Sequence, residues 1–176
     1  GEEEDTMKVS EITEASQYLT FTLDRELFAL DISQVREVLE FHGLTRVPRM
    51  PDFMRGVINL RGSVIPVLDL RLKFGLSVTE ETVDTCVIIM EVELDGEMTV
   101  LGVLADTVEE VIDLESDQID LPPRMGTRLD TSFIRGMGKR DDHFIILLDI
   151  NRIFDSAELR SATTGSAEEA TASGSV

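Results

Sequence analysis

The residues most able to do chemistry are few and lie apart in the chain. His42 and His143 each stand in a loop-like context, without a partner at the spacing of a metal site. Asp141-Asp142-His143 carries ligand-type side chains, but it matches a hairpin turn elsewhere in the chain, so we expect a solvated turn. No Gly-x-Ser-x-Gly motif is present, and Gly136-Met137-Gly138-Lys139 lacks the Ser or Thr of a phosphate-binding loop. The sequence therefore predicts no enzymatic activity, no cofactor and no metal.

Charge narrows the range of partners. Acidic residues outnumber basic ones by 35 to 16, and the net charge of −19 repels phosphate backbones and anionic lipid. Neither nucleic acid nor direct membrane insertion is expected, since no apolar run approaches the roughly 18 residues of a bilayer span. No secretion signal is recognisable, and Cys86 is the only cysteine, with apolar neighbours. These features predict a cytoplasmic protein with a buried, reduced thiol.

The middle of the chain reads as short strands joined by tight turns. Alternating apolar segments flank the turns Asp24-Arg25-Glu26, Arg61-Gly62-Ser63 and Asp95-Gly96-Glu97, which predicts three hairpins. Two short helices are expected after Asp69 and Asp149, because an aspartate can accept hydrogen bonds from the first amides of a helix.

An internal repeat is the most informative feature of the sequence. Residues 53–74 align without a gap on residues 133–154, and seven of the 22 positions are identical. Further upstream, residues 33–40 align on residues 106–113. The identical positions include both flanking phenylalanines, a glycine and the capping aspartate, so we interpret the chain as two copies of one module.

The repeat predicts the domain organisation. We expect a first module at 17–75, a linker at 76–84 and a second module at 85–155, between a mobile acidic N-terminus (1–16) and a mobile tail (156–176). β-modules of this size are marginally stable alone, so the two should share an apolar interface. The prediction is an all-β protein of two small barrels with short helices.

Two features suggest a binding module. An apolar series interrupted by Arg36 and Glu37 fits either a core strand or a groove with a charged border, and its members are Ile32, Val35, Val38 and Leu39. Arg61 stands at a hairpin tip where no core needs a cation, so it is either a solvated turn residue or an interface anchor. On either interpretation we expect no packing partner for Arg61 in the free protein.

At these residues the sequence resembles a known family. The segments VREVLE (35–40), TRVPRMPDFMRGVINLRGSVIPVLDLRLKFG (45–75) and LADTVEEVIDL (104–114) resemble the bacterial chemotaxis coupling protein CheW, and the similarity extends over about residues 17–155. The resemblance implies a fold of two five-stranded, SH3-like barrels, in agreement with the repeat.

The resemblance also implies an adaptor. CheW-like proteins join the histidine kinase CheA, whose regulatory domain has the same fold, to the cytoplasmic tips of methyl-accepting chemoreceptors in arrays at the inner membrane. The positions that match the receptor-binding groove of the family are Leu19, Ile32, Val35, Val38 and Val108. Glu37 and Arg61 match positions linked to coupling.

Other interpretations remain open. The same fold occurs in the regulatory domain of CheA kinases and in the front part of CheV-type proteins, so the chain also fits a regulatory fragment of either. A β protein that binds a small ligand belongs to a different functional class, and a closed cavity would favour it over an open groove.

Overall fold

Two curled sheets make up the protein. A computed structural model of the chain describes residues 16–121, 133–154 and 157–158. The predicted mobile N-terminus lies almost wholly outside these residues, and the predicted tail does so apart from residues 157–158. The all-β prediction is confirmed: the described residues contain eleven strands and two short α-helices. None of these helices is long or apolar enough to cross a membrane.

The first sheet forms what we call the six-stranded barrel. Its spatial order is β8-β1-β2-β11-β10-β9. The strands are β1 (Ser16–Leu23), β2 (Glu26–Asp31), β8 (Thr107–Leu114), β9 (Ile119–Asp120), β10 (Ile134–Arg140) and β11 (His143–Leu148). The two-residue strand β9 is what makes this barrel exceed the predicted five strands.

The second sheet forms the five-stranded barrel, in the order β3-β6-β7-β5-β4. Its strands are β3 (Val35–Glu40), β4 (Met54–Leu60), β5 (Ser63–Leu68), β6 (Cys86–Leu94) and β7 (Glu97–Ala105). The helices are α1 (Leu70–Lys73) and α2 (Ile150–Ile153). As expected, an aspartate caps each helix: the carboxylate of Asp69 accepts a hydrogen bond from the Arg71 amide, and that of Asp149 accepts one from the Asn151 amide.

The sheets divide the chain differently from the prediction. We expected 17–75 and 85–155 to be separate barrels, but β1 and β2 pair within one sheet with β8 and β11, and β6 and β7 pair within the other with β3 and β5. Each repeat therefore gives its first two strands to one barrel and its last strands to the other. A 3₁₀ turn at Ile32–Gln34 carries the chain across between β2 and β3. The repeat alone could not reveal this exchange, because equivalent strands of either copy can close the same barrel.

Segment 76–84, which we expected to be a linker, is exposed over most of its length but is anchored at Thr79. It joins α1, which follows β5, to β6, and both of these strands belong to the five-stranded barrel. Thr79 is buried, and both its amide and its hydroxyl donate to the carboxylate of Asp69, at 3.0 and 2.8 Å. Asp69 is fully buried and accepts a further bond from Arg55 at 2.9 Å, so the segment is anchored.

The largest apolar cluster lies between the sheets and contains residues of both repeats, as the shared-interface argument predicted. Two smaller clusters fill the barrels themselves. The four phenylalanines that flank the aligned repeats meet in crossed pairs: Phe53 lies 4.9 Å from Phe154, and Phe74 lies 4.7 Å from Phe133, between ring centroids. These identical positions of the repeat thus hold the two copies together.

Candidate functional site

The candidate site lies along β3 and β8, which are the repeat-equivalent edge strands of the two barrels. On β3, Val35 lies opposite Met90 and Val38 lies opposite Ile88. Met90 and Ile88 both belong to the cluster between the sheets. A register shift between Val35 and Glu37 keeps the two valines on the same side of the sheet, although they are three residues apart.

Strand β8 repeats this arrangement in the other barrel. Val108 lies opposite Phe21 and packs against the cluster between the sheets. Leu19 lies opposite Val111 and is only 5% exposed, so it can form the floor of a groove but little of its surface. Val111 itself is 48% exposed.

Ile32 lies in the 3₁₀ turn that crosses from one barrel to the other. Asp31 caps this turn, because its carboxylate accepts from the Ser33 amide at 2.9 Å and from the Ser33 hydroxyl at 2.7 Å. Asp31 also pairs with Arg135 at 3.3 Å. Ile32 packs against the cluster between the sheets, so the turn holds an apolar side chain at the junction of the barrels.

Together these residues define what we call the groove. Leu19 belongs to the cluster between the sheets, and Val38 lies opposite its member Ile88. The other three predicted residues pack against the cluster, and they are Ile32, Val35 and Val108. Val38 is 37% exposed, so its methyl groups are available to a partner. The five side chains that define the groove are all apolar, so the groove suits an apolar partner surface.

Sequence reasoning missed Val111. In the alignment of 33–40 on 106–113 it is the counterpart of Val38, and the repeat could therefore have pointed to it. Val111 lies opposite Leu19, which places it on the same face as the predicted residues, and its exposure makes it accessible to a partner.

Arg61 has a partner, contrary to the expectation. Its two terminal nitrogens donate to the two carboxylate oxygens of Glu37, each at 2.9 Å. These hydrogen bonds lower the pKa of Glu37 and raise the pKa of Arg61, so both groups stay charged near neutral pH. The two predicted coupling residues therefore form one bidentate unit, and the Arg61 side chain is still 72% exposed.

The remaining sequence candidates show no reactive arrangement. Asp141 and Asp142 form the β10–β11 turn with positive φ angles of 49° and 65°. Among the residues that the structure describes, no group of three or more His, Cys, Asp or Glu side chains could hold a metal ion. Cys86 is half-buried rather than buried, and burial raises the pKa of its thiol.

Clefts open at the unpaired edges of the barrels. One of about 740 Å³ is lined by Val38, Phe41, Leu44 and Val57 among others, between β3 and β4. Another of about 670 Å³ is lined mainly by charged residues around the β10–β11 turn. The Lys139 ammonium, in the second cleft, is paired with Asp120 at 2.7 Å.

Two SH3-like barrels with an apolar groove at their junction define a binding module of the adaptor type. Comparison with known proteins agrees: residues 17–158 match the CheW-like domain family. The chain belongs to the CheW family, whose members act as scaffolds in chemotaxis signalling.

Individual relatives are similar over most of their length. The chemotaxis protein CheW of Klebsiella aerogenes is 36% identical over 155 residues, which cover 86% of this chain and 89% of that protein. The CheW of Thermotoga maritima is 30% identical over 147 residues, or 82% of this chain and 91% of that protein. The crystal structure of the scaffolding protein TtCheW from Thermoanaerobacter tengcongensis superposes with a TM-score of 0.71 at 36% identity, covering 82% of this chain and 95% of that one.

Proposed function

We propose that this chain is a non-catalytic scaffold that couples a CheA-type histidine kinase, through its regulatory domain, to the cytoplasmic tips of methyl-accepting chemoreceptors. It acts in the cytoplasm, in receptor arrays at the inner membrane. Membership of the CheW family supports this role, as does the similarity to a solved scaffolding protein.

The observation that carries the proposal is the groove between the barrels. Valines from equivalent strands of both barrels and Ile32 from the connecting turn surround one apolar strip. Such a strip suits a helix that presents apolar residues at a spacing of three and four, because each anchor is removed from water on docking. The receptor tip is the partner of this type in the proposed complex.

Replacing Val38 by Asp tests this proposal. Val38 is 37% exposed, so the variant should fold, but its carboxylate would have to lose water against the apolar face of the receptor. Burying an unpaired charge costs about 3 kcal/mol or more, which corresponds to roughly 100-fold weaker binding. Calorimetric titration with a helical receptor-tip fragment should show this loss.

Val83→Asp is the matched control, since Val83 is 98% exposed in segment 76–84. It introduces the same charge outside the groove and should leave receptor affinity unchanged. If folded Val38→Asp binds the fragment as tightly as Val83→Asp does, the assignment of the groove to the receptor fails.

Glu37 and Arg61 form the second part of the proposal, as coupling residues. Part of the guanidinium remains exposed beside the bidentate pair, where it can also donate to an acidic group of a partner. We expect Arg61→Glu to abolish receptor-controlled kinase activity in a reconstituted complex. Arg25→Glu is the control, because Arg25 is also an exposed, positive-φ residue at a hairpin tip. An equal loss in both variants would show that general charge, and not the Arg61 position, controls assembly.

A further inference from the structure

Strand β8 contains a bulge that determines where its valines point. Val108 lies opposite Phe21, and Val111 lies opposite Leu19. Only one residue of β1, Thr20, stands between these two pairs, whereas β8 places both Glu109 and Glu110 there. Two residues facing one are the definition of a β-bulge.

The bulge brings both valines to the groove. In a regular strand Val108 and Val111 would face opposite sides, because side chains alternate. Their partners Phe21 and Leu19 are two residues apart on β1 and share a face, and both belong to the cluster between the sheets. The extra residue therefore turns Val108 onto the face of Val111.

The hydroxyl of Thr20 holds the bulge in place. It donates to the carbonyl oxygen of Glu110 at 2.7 Å and accepts from the amide of the same residue at 3.0 Å. Thr20 is 1% exposed, so water does not replace these bonds readily. On the equivalent strand β6 the residue opposite Glu37 is Ile89, which has no hydroxyl, so this means of holding a bulge belongs to the six-stranded barrel.

We infer that Thr20 is a positioning residue, which holds Val108 and Val111 toward the partner helix through the β8 bulge. This inference rests on the proposed function of the groove. Val111 is bordered by the exposed acids Glu109, Glu110 and Asp113. The helix that docks here should therefore carry Lys or Arg beside its apolar stripe, on the side that faces β8.

Thr20→Val tests the positioning role, because it keeps the shape of the side chain and removes the hydroxyl. We expect the Glu110 amide to exchange with solvent at least about tenfold faster, and the receptor-tip fragment to bind about tenfold more weakly. Thr20→Ser keeps the hydroxyl and should restore both values. Thr22→Val is the matched control: the Thr22 hydroxyl bonds that of Thr107 at 2.8 Å on the same ladder, outside the bulge, and its loss should leave binding unchanged.

Val111→Ala tests the contact, and should weaken binding about fivefold while kinase binding stays the same. Raising the salt concentration should weaken the binding of the unaltered protein, as expected for basic residues beside an acidic border. An unchanged exchange rate of Glu110 in Thr20→Val would overturn the positioning role. If Thr20→Val and Val111→Ala bind normally while Val38→Asp does not, this inference alone is wrong; if Val38→Asp also binds normally, the proposed function is wrong as well.

Discussion

The buried carboxylate of Asp69 should be far more important for stability than its repeat equivalent Asp149. Asp69 is fully buried and accepts four hydrogen bonds, from the Arg55 guanidinium, from the amide and hydroxyl of Thr79 and from the Arg71 amide, at 2.8–3.1 Å. In Asp69→Asn an NH₂ group would face some of these donors. Breaking a buried ion pair costs about 3–5 kcal/mol, and we take the lower end because the Arg55 side chain is 23% exposed.

A loss of about 3 kcal/mol should lower Tm by roughly 6–12 °C for a domain of this size. Asp149→Asn is the control: its carboxylate is 31% exposed and accepts the Asn151 amide bond at 3.0 Å, which Asn can also accept. That variant should lose less than about 0.5 kcal/mol. Urea unfolding followed by circular dichroism gives the free energy of unfolding of the two variants. Similar small losses in the two variants would refute the argument that the Asp69 network anchors segment 76–84.

Three further predictions concern other contacts. Because Arg61 lowers the pKa of Glu37, the stability from this pair is present above the ordinary glutamate range and is lost as the pH falls through the lowered pKa. Arg61→Gln should therefore lower Tm at about pH 7, and this difference in Tm should shrink as the pH falls below the ordinary glutamate range, as seen by circular dichroism. Phe53→Ala and Phe154→Ala should each cost about 3–5 kcal/mol in urea unfolding, with a coupling energy of about 1 kcal/mol in a double-mutant cycle. A chain cut after Val78 should give pieces that are unfolded alone and fold when mixed; a cooperative transition of one piece by itself would contradict the strand exchange.

Local structure was predictable from the sequence because its determinants are local. The three hairpin turns carry Asp, Gly and Arg at positions where the backbone has positive φ, such as Asp95 and Gly96 at 51° and 84°. The two helices follow capping aspartates, as expected. Glycine occupies the equivalent positions 56 and 136 because neither has space for a side chain. A Cβ at Gly56 would collide with the Thr45 carbonyl, and one at Gly136 would lie 2.7 Å from Ile119.

Strand pairing was not predictable in the same way. Both copies of the repeat carry equivalent strands, so the pairing of β2 with β11 and of β5 with β7 depends on the whole assembly and not on either segment. Each of these parallel pairs joins a strand of the first repeat to a strand of the second, which shows that the two copies exchange strands. A division of the chain at residue 75 follows the repeat, but it does not follow the barrels.

The candidate site was predictable only in part. The groove positions came from the resemblance to the CheW family, and the structure brings them to the junction of the barrels. In the β8 bulge the Thr20 hydroxyl bonds the backbone of Glu110, which is 90 positions away in the sequence. The bond between Arg61 and Glu37 likewise joins residues 24 positions apart, and it links the β4–β5 turn to strand β3, which pairs with neither β4 nor β5.

The central claim is that this chain bridges a kinase and a receptor through separate surfaces. The most direct test is the co-sedimentation of a CheA-type kinase with receptor-tip assemblies in the presence of this chain or of Val38→Asp. We predict that the unaltered chain brings the kinase into the pellet. Val38→Asp should still bind the kinase in solution and should leave it in the supernatant. Sedimentation of the kinase with both proteins, or loss of kinase binding together with receptor binding in a folded variant, would contradict the claim.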